Sequence, residues 1–365
     1  MEYRINRRTG DRISVLGLGS SSIASAGERE GVETLHMALE NGINYYDLAT
    51  SESANFPTYG KAFADVRNQV YYQIHFGACY GDGASYSWTT DLDAVRRSVD
   101  WQLRALGTDY IDYGFIHCLD EISDWQQYQE SGVLEYLLNL KAAGVVRHIG
   151  LSSHTPKLAH QILNTGLVDM LMFSINPAYD FQHGEYANGS GSERMALYRR
   201  CESEGVGISV MKAFSSGQLL DQRTSPFGIA LTEYQCLQYA LDKPGVLTVL
   251  PGVRGKSDLQ RILGFFKTTE EDRDYAAISI MTPREMEGIC VYCNHCQPCP
   301  AGLDIGLINK YFDLAKAGDA LAADHYRHLS VKADSCIGCG HCNSRCPFHV
   351  DQVARMETIA EYFAD

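Results

Sequence analysis

Residues 110–117, YIDYGFIH, and residues 146–153, VRHIGLSS, decide how the chain is read. Each is a strand-length apolar run, and a helix-length amphipathic stretch near 128–143 lies between them. Run length separates strands from buried helices, so the segment reads as one strand–helix–strand unit. The same alternation continues outward in both directions. Toward the N-terminus, VYYQIHFG (70–77) precedes a helix near 91–106, GINYYDLA (42–49) a helix near 55–66, and ISVLGLGS (13–20) a helix near 29–41. Toward the C-terminus, VRHIGLSS is followed by a helix near 155–165, VDMLMFSIN (168–176) by one near 192–204, VGISVMKAF (206–214) by one near 232–241, and LTVLPGV (247–253) by one near 256–266. Gly42, Gly107, Gly144, Gly166 and Gly205 mark helix exits. Eight units in about 255 residues predict an α/β fold of the closed (β/α)8 barrel type. An open doubly wound sheet is the alternative, and eight even units favour closure. Gly17-Leu18-Gly19 lacks the third glycine of a dinucleotide fingerprint.

The rest of the 365-residue chain leaves room for a second, smaller module. We read residues 1–280 as the barrel and 281–365 as the module, with a charged, irregular linker over 267–289. Helices are expected near 305–316 and 319–329, with a last amphipathic one in VARMETIAEYF (353–363), so the module is expected to be mostly helical. A net charge of −14 disfavours nucleic acid, whose phosphates would repel it. No apolar run reaches the length of a membrane span, and the N-terminal stretch lacks the apolar core of a signal peptide. A cytoplasmic protein is expected.

Eight of the twelve cysteines fall in two runs of the module. One is Cys290-Val-Tyr-Cys293-Asn-His-Cys296-Gln-Pro-Cys299-Pro300 and the other Cys336-Ile-Gly-Cys339-Gly-His-Cys342-Asn-Ser-Arg-Cys346-Pro347. The second has the bacterial ferredoxin spacing, whose Cys-Pro cysteine crosses to the other cluster of a pair. The spacing therefore groups Cys290, Cys293, Cys296 and Cys346 on one [4Fe–4S] cluster, and Cys336, Cys339, Cys342 and Cys299 on a second. The first run departs from the pattern, with two residues rather than three before its Cys-Pro. Structural zinc prefers paired Cys-x-x-Cys knuckles, and a disulfide scaffold needs an oxidising compartment. The remaining Cys79, Cys118, Cys201 and Cys236 are read as buried small residues.

Barrel chemistry sits at the C-terminal ends of the strands. That ring carries Asp47, His75, His117, Ser152, Ser153, Asn176, Lys212 and Arg254. Asp120 and Glu121 read as solvated loop charges. Two long loops on the same face, 78–90 with Tyr80, Tyr86 and Trp88, and 178–191, are candidate walls or lids.

VLGLGS (15–20), GINYYDLA, FIHCLD (115–120), HIGLSSH (148–154) and LPGVRGKSDL (250–259), in that order, resemble the aldo-keto reductases. With the cysteine module, the chain resembles the subgroup that carries a C-terminal [4Fe–4S] ferredoxin domain. The resemblance implies carbonyl reduction with NADPH by an Asp, Tyr, Lys and His set. Asp47 and His117 match that set, whereas Glu52 stands at the tyrosine position and His75 at the lysine position. Tyr59 is a candidate substitute acid, although it falls where the second helix is expected to start. By the same resemblance Ser152, Asn176 and Lys212 fall at the nicotinamide, and Gly252, Arg254 and Lys256 at the adenosine phosphate. NADP(H) and a flavin are the organic cofactors to be tested. The expected activity is an iron–sulfur oxidoreductase acting on a small organic substrate at the barrel mouth, with a redox partner protein. The alternatives are an acid–base lyase or isomerase using His75, His117 and Glu52 beside structural clusters, and a non-catalytic electron-transfer protein.

Overall fold

The computed structural model describes residues 1–19, 23, 25–50, 52–81, 86–184, 186–281, 288–316, 320–346 and 348–364. Eight strands run parallel: β1 (Leu18–Gly19), β2 (Tyr45–Asp47), β3 (Tyr71–Phe76), β4 (Ile111–Ile116), β5 (Val146–Ser153), β6 (Met170–Ser174), β7 (Gly207–Met211) and β8 (Val246–Val249). They neighbour one another in chain order. Parallel bridges from Leu16 to Val249 and from Gly19 to Gly252 join the two ends, so the sheet closes as a (β/α)8 barrel. The first apolar run divides. Arg12–Ser14 pairs antiparallel with Tyr3–Ile5, and only Leu18–Gly19 enters the barrel. Gly17 sits at the join, where a Cβ would stand 2.7 Å from both the Leu250 side chain and the Tyr45 carbonyl oxygen.

All six residues of β4 are buried, as expected of a parallel strand covered on both faces. Side chains alternate between faces with period 2, and the register then assembles the interior. Tyr45 and Asp47, Gln73 and His75, and Tyr113 and Phe115 align in layers, because Asp47 pairs with Gln73 and His75 with Phe115. Ile13, Tyr45, Tyr113, Phe115, Met170, Met172, Leu247 and Leu250 pack as one cluster. Burying a large side chain of this kind is worth roughly 1.5–3 kcal/mol. Phe115 finds space because residue 150 is glycine: a Cβ there would lie 2.3 Å from its ring.

Most helices fall where the periodicity places them, among them Glu28–Glu40, Asn55–Phe63, Leu92–Leu106, Pro156–Leu163 and Gly191–Glu204. The helix expected near 128–143 is two, Ile122–Glu130 and Val133–Ala142. Gly132, at φ 82°, takes a left-handed conformation that ends the first and starts the second.

Packing groups the chain differently from a linear division at residue 280. One compact unit holds 1–175, 206–213 and 247–268; the other holds 176–205, 214–246 and 269–365. In the second unit, Arg199 donates to Tyr292 Oη at 2.8 Å and to Asp313 at 2.8 Å, Tyr275 donates to Asp242 at 2.8 Å, and Phe181 stacks on Phe348. These contacts tie helix Gly191–Glu204 and residues near 240 to the cysteine module. The segment expected as a linker contains helix Glu270–Arg273 and the buried Tyr275 and Ile278; residues 282–287 lie outside the described residues. Helices Ile305–Lys316, Ala320–Arg327 and Gln352–Tyr362 give the helical module that the sequence suggests. The loop expected over 178–191 is anchored at its start rather than free. Asp180 is buried and accepts hydrogen bonds from Arg194 Nε, Tyr198 Oη and Tyr239 Oη, each at 2.7–2.8 Å.

Candidate active site and cysteine module

Asp47 ends β2, His75 lies one residue from the end of β3, and His117 follows β4. The register brings the three side chains into one line. His75 Nε2 is 2.9 Å from Asp47 Oδ1, and His75 Nδ1 is 2.9 Å from His117 Nδ1. His117 Nε2 is in turn 2.9 Å from the phenol oxygen of Tyr86. Tyr86 is placed by a short antiparallel pairing of Ala78–Cys79 with Ser87–Trp88, and Trp88 Nε1–H donates to the His117 carbonyl oxygen at 3.4 Å; residues 82–85 lie outside the described residues. The ring nitrogens permit one self-consistent direction when Asp47 is ionised. His75 Nε2–H donates to Asp47, His117 Nδ1–H donates to His75 Nδ1, and the Tyr86 hydroxyl donates to His117 Nε2.

Gln73 fixes the inner end of the line. Its Oε1 accepts from Tyr45 Oη at 2.8 Å and from Ser209 Oγ at 3.1 Å, which turns its amide nitrogen toward Asp47 Oδ1 at 3.1 Å. Burial holds the His117 pKa well below the usual histidine range, with the His75 and His154 rings adding to the effect, so its ring is neutral at pH 7. Burial also pushes the Tyr86 phenol up to about 12, which keeps it protonated.

The other expected catalytic groups lie elsewhere. Glu52 is exposed, and among the described residues no hydrogen bond links its carboxylate to this line. Tyr59 is fully buried in an aromatic cluster with Tyr46, Phe63 and Tyr72, and its hydroxyl has no hydrogen-bond partner among the described residues. Asp120 is no solvated loop charge. It accepts from the His154 backbone N–H at 2.6 Å and from His154 Nδ1 at 2.9 Å, clasping the loops after β4 and β5. Cys118 Sγ stands 3.9 Å from the same nitrogen, and burial pushes its thiol up to about 11. Gln73 has no place in the sequence reading, and Tyr86 enters it only as part of a candidate wall or lid. Three aromatics in one loop were the signal for Tyr86.

Of the residues expected at a nicotinamide, Ser152 is buried near the end of β5, Lys212 is half-buried at φ 58°, and Asn176 caps the short helix Pro177–Asp180 by accepting from Tyr179 N–H. Gly252 bridges Gly19. Arg254 and Lys256, expected at the adenosine phosphate, are already engaged. Arg254 pairs with Asp258, and the Lys256 ammonium pairs with Glu30 at 3.3 Å and with Glu33. The Lys256 backbone N–H, first in helix Lys256–Leu263, donates to Glu30 Oε1 at 3.1 Å. A helix N-terminus attracts anions, and here the chain's own carboxylate takes that place. At Lys256 a nucleotide phosphate would compete with Glu30 and Glu33, whereas Arg254 is 74% exposed and pairs only with Asp258 among the described residues.

In the module, Cys299, Cys336, Cys339 and Cys342 line one cavity with Leu303, Ile305 and Met356. Cys290, Cys293, Cys296 and Cys346 lie within electrostatic reach of one another, and burial pushes the Cys293 thiol up to about 12. Gln352 Nε2 points at Cys290 Sγ from 3.8 Å. Among the described residues, the one trio of His, Cys, Asp or Glu ligand atoms drawn within 4.8 Å of one another is Cys118, Asp120 and His154. None of the eight module cysteines is in such a trio, so they are spaced too widely for a single tetrahedral ion.

Comparison with known proteins agrees with the barrel. The model of the aldo/keto reductase family matches residues 15–235. The chain is 26% identical over 263 residues to the uncharacterized oxidoreductase YqkF of Bacillus subtilis, covering 66% of this chain and 83% of that one. It is 24% identical over 300 residues to L-galactose dehydrogenase of Arabidopsis thaliana, covering 71% and 86%. Aldo-keto reductase AKR11C1 of Bacillus halodurans, in its holo form, superposes with a TM-score of 0.62 at 21% identity, over 78% of this chain and 97% of that one. Among the described residues no helix is long and apolar enough to cross a membrane. A closed barrel and a family match over more than half the sequence lead to one conclusion: this chain belongs to the aldo/keto reductase family.

Proposed function

We propose that the protein is an iron–sulfur oxidoreductase that reduces a small carbonyl compound with electrons from two [4Fe–4S] clusters and a proton delivered by Tyr86. The observation that carries the reading is the unbroken line Asp47–His75–His117–Tyr86, since it supplies an acid where the family's tyrosine and lysine are missing. The cysteine sets suit cubanes: four sulfurs line one cavity, four others share one electrostatic neighbourhood, and no three converge on a single ion. Cys290, Cys293, Cys296 and Cys346 would hold one cluster, and Cys299, Cys336, Cys339 and Cys342 the other. When bound, each cluster supplies one electron, so the pair matches the two electrons that convert a carbonyl to an alcohol. A reduced carrier protein is the proposed source of those electrons, and the cytoplasm the proposed setting.

The chain's residues handle protons. With Asp47 protonated, the line points outward: Asp47 donates to His75 Nε2, His75 Nδ1–H to His117 Nδ1, and His117 Nε2–H to the Tyr86 oxygen. The Tyr86 hydroxyl is then free to face the substrate oxygen. As it gives up its proton it takes one from His117, which takes one from His75, which takes one from Asp47. The line ends in the inward direction with Asp47 ionised. The second proton of the reduction comes from water. No nicotinamide step is needed, in keeping with the engaged state of Arg254 and Lys256.

The test is anaerobic. Protein carrying about eight irons per chain is reduced with a viologen, and viologen oxidation is followed across small ketones and aldehydes. Turnover in wild type, lost in Tyr86→Phe with iron content retained, supports the reading. Iron-free protein, or carbonyl-dependent turnover unchanged by Tyr86→Phe, refutes it.

A further inference from the structure

Lys243 is an anomaly in the second unit. Its side chain is 1% exposed, and among the described residues its ammonium has no hydrogen-bond acceptor. It lies over the Tyr239 ring, 3.6 Å from the centroid, and 5.7 Å from the centroid of Tyr275. Cation–π contact offsets only part of the cost of burying a charge. The nearest carboxylates have other partners: Asp180 binds Arg194, Tyr198 and Tyr239, and Asp242 accepts from Tyr275 and Gln238. The remaining groups within its electrostatic reach are the sulfurs of Cys293 and Cys290.

A buried cation without a hydrogen-bond acceptor, with two cysteines of one set in its electrostatic reach beside the Asp180 and Asp242 carboxylates, is placed to act on an anion held by that set. We propose that Lys243 is the fixed counter-charge of the cluster held by Cys290, Cys293, Cys296 and Cys346, and that it raises the reduction potential of that cluster selectively. The inference rests on the cluster reading above. A four-thiolate cubane is anionic and gains one further negative charge on reduction, so a nearby fixed cation favours the reduced form. The other set lies closer to solvent, with Cys339 exposed and Ile337 beside it 66% exposed, where water screens charge. Lys243 would therefore set the potential difference between the two clusters.

The test compares wild type, Lys243→Met and Lys243→Arg, each assembled anaerobically, by iron analysis and by redox titration monitored with electron paramagnetic resonance. With full iron in all three, Lys243→Met is expected to lower one of two midpoints and leave the other in place. The expected size is a tenfold change in the reduced-to-oxidised ratio at fixed potential, ~59 mV for a one-electron couple, and Lys243→Arg should keep the wild-type value. Loss of one cluster's iron in Lys243→Met, retained in Lys243→Arg, also supports the counter-charge. Full iron with the same two midpoints in all three proteins overturns it. Absence of iron from wild type overturns the cluster reading instead, so the two failures are distinguishable.

Discussion

The phenol oxygen of Tyr86 stands 2.9 Å from Nε2 of His117, so a loop residue completes a line of hydrogen bonds that starts inside the barrel. A positioned general acid contributes about 10²- to 10⁴-fold. Tyr86→Phe should lower turnover with a carbonyl substrate by about 10²-fold or more, with iron content and substrate affinity little changed. Steady-state viologen kinetics would measure both.

Members of a relay act as a unit, and their losses do not add. His117→Gln and Tyr86→Phe should each slow turnover strongly, and the double variant should be about as slow as the worse single one. Multiplying losses would show that the two groups act independently.

The neutral state of His117 predicts a pH effect on stability. Its folded pKa is held below the ordinary 6.5 by burial, so below that pH the unfolded chain binds the extra proton first. The corresponding stability is present above about pH 6.5 and falls away as the pH drops toward the folded value. The thermal midpoint should fall between pH 7 and pH 5, and the fall should be smaller in His117→Gln.

Glu30 and Glu33 guard the first turn of helix Lys256–Leu263. Replacing both with glutamine should tighten NADPH binding several-fold at low salt, with the gain fading as salt screens the exposed charges. Fluorescence titration of the wild type and the double variant would show it. Equal affinities would mean that the pairing of Lys256 does not obstruct the phosphate.

Asp180 holds the buried Arg194 guanidinium in the second unit. Asp180→Ala leaves that charge without its carboxylate, and breaking such a pair costs about 3–5 kcal/mol. A large drop in the unfolding midpoint is expected, and a shift of less than a degree would contradict it.

Much of this was legible in the sequence, for reasons that differ between parts. Parallel strands covered on both faces read as continuous apolar runs, so eight of them stood out and their C-terminal ends pointed to Asp47, His75 and His117. The cysteine spacing is a local signal, and it is legible for the same reason. Tyr86 was not legible as an acid, because its place depends on a two-residue pairing of Ser87–Trp88 with Ala78–Cys79 that carries little pattern. Tyr59 looked suitable by proximity to Asp47 in the chain, yet the helix it sits on turns its ring into the aromatic layer between helix and wall. The engagement of Lys256 by Glu30 joins residues more than two hundred positions apart, and periodicity has nothing to say about such a pair.

The hairpin that carries Tyr86 divides labour in a way that bears on ancestry. Asp47 and His75 are built into strands and His117 directly follows one, so they cannot shift without disturbing the wall, whereas the phenol rides on a short excursion that tolerates insertion and exchange. Descendants of such a scaffold can acquire new substrates by recasting that excursion alone, leaving the proton store behind it untouched.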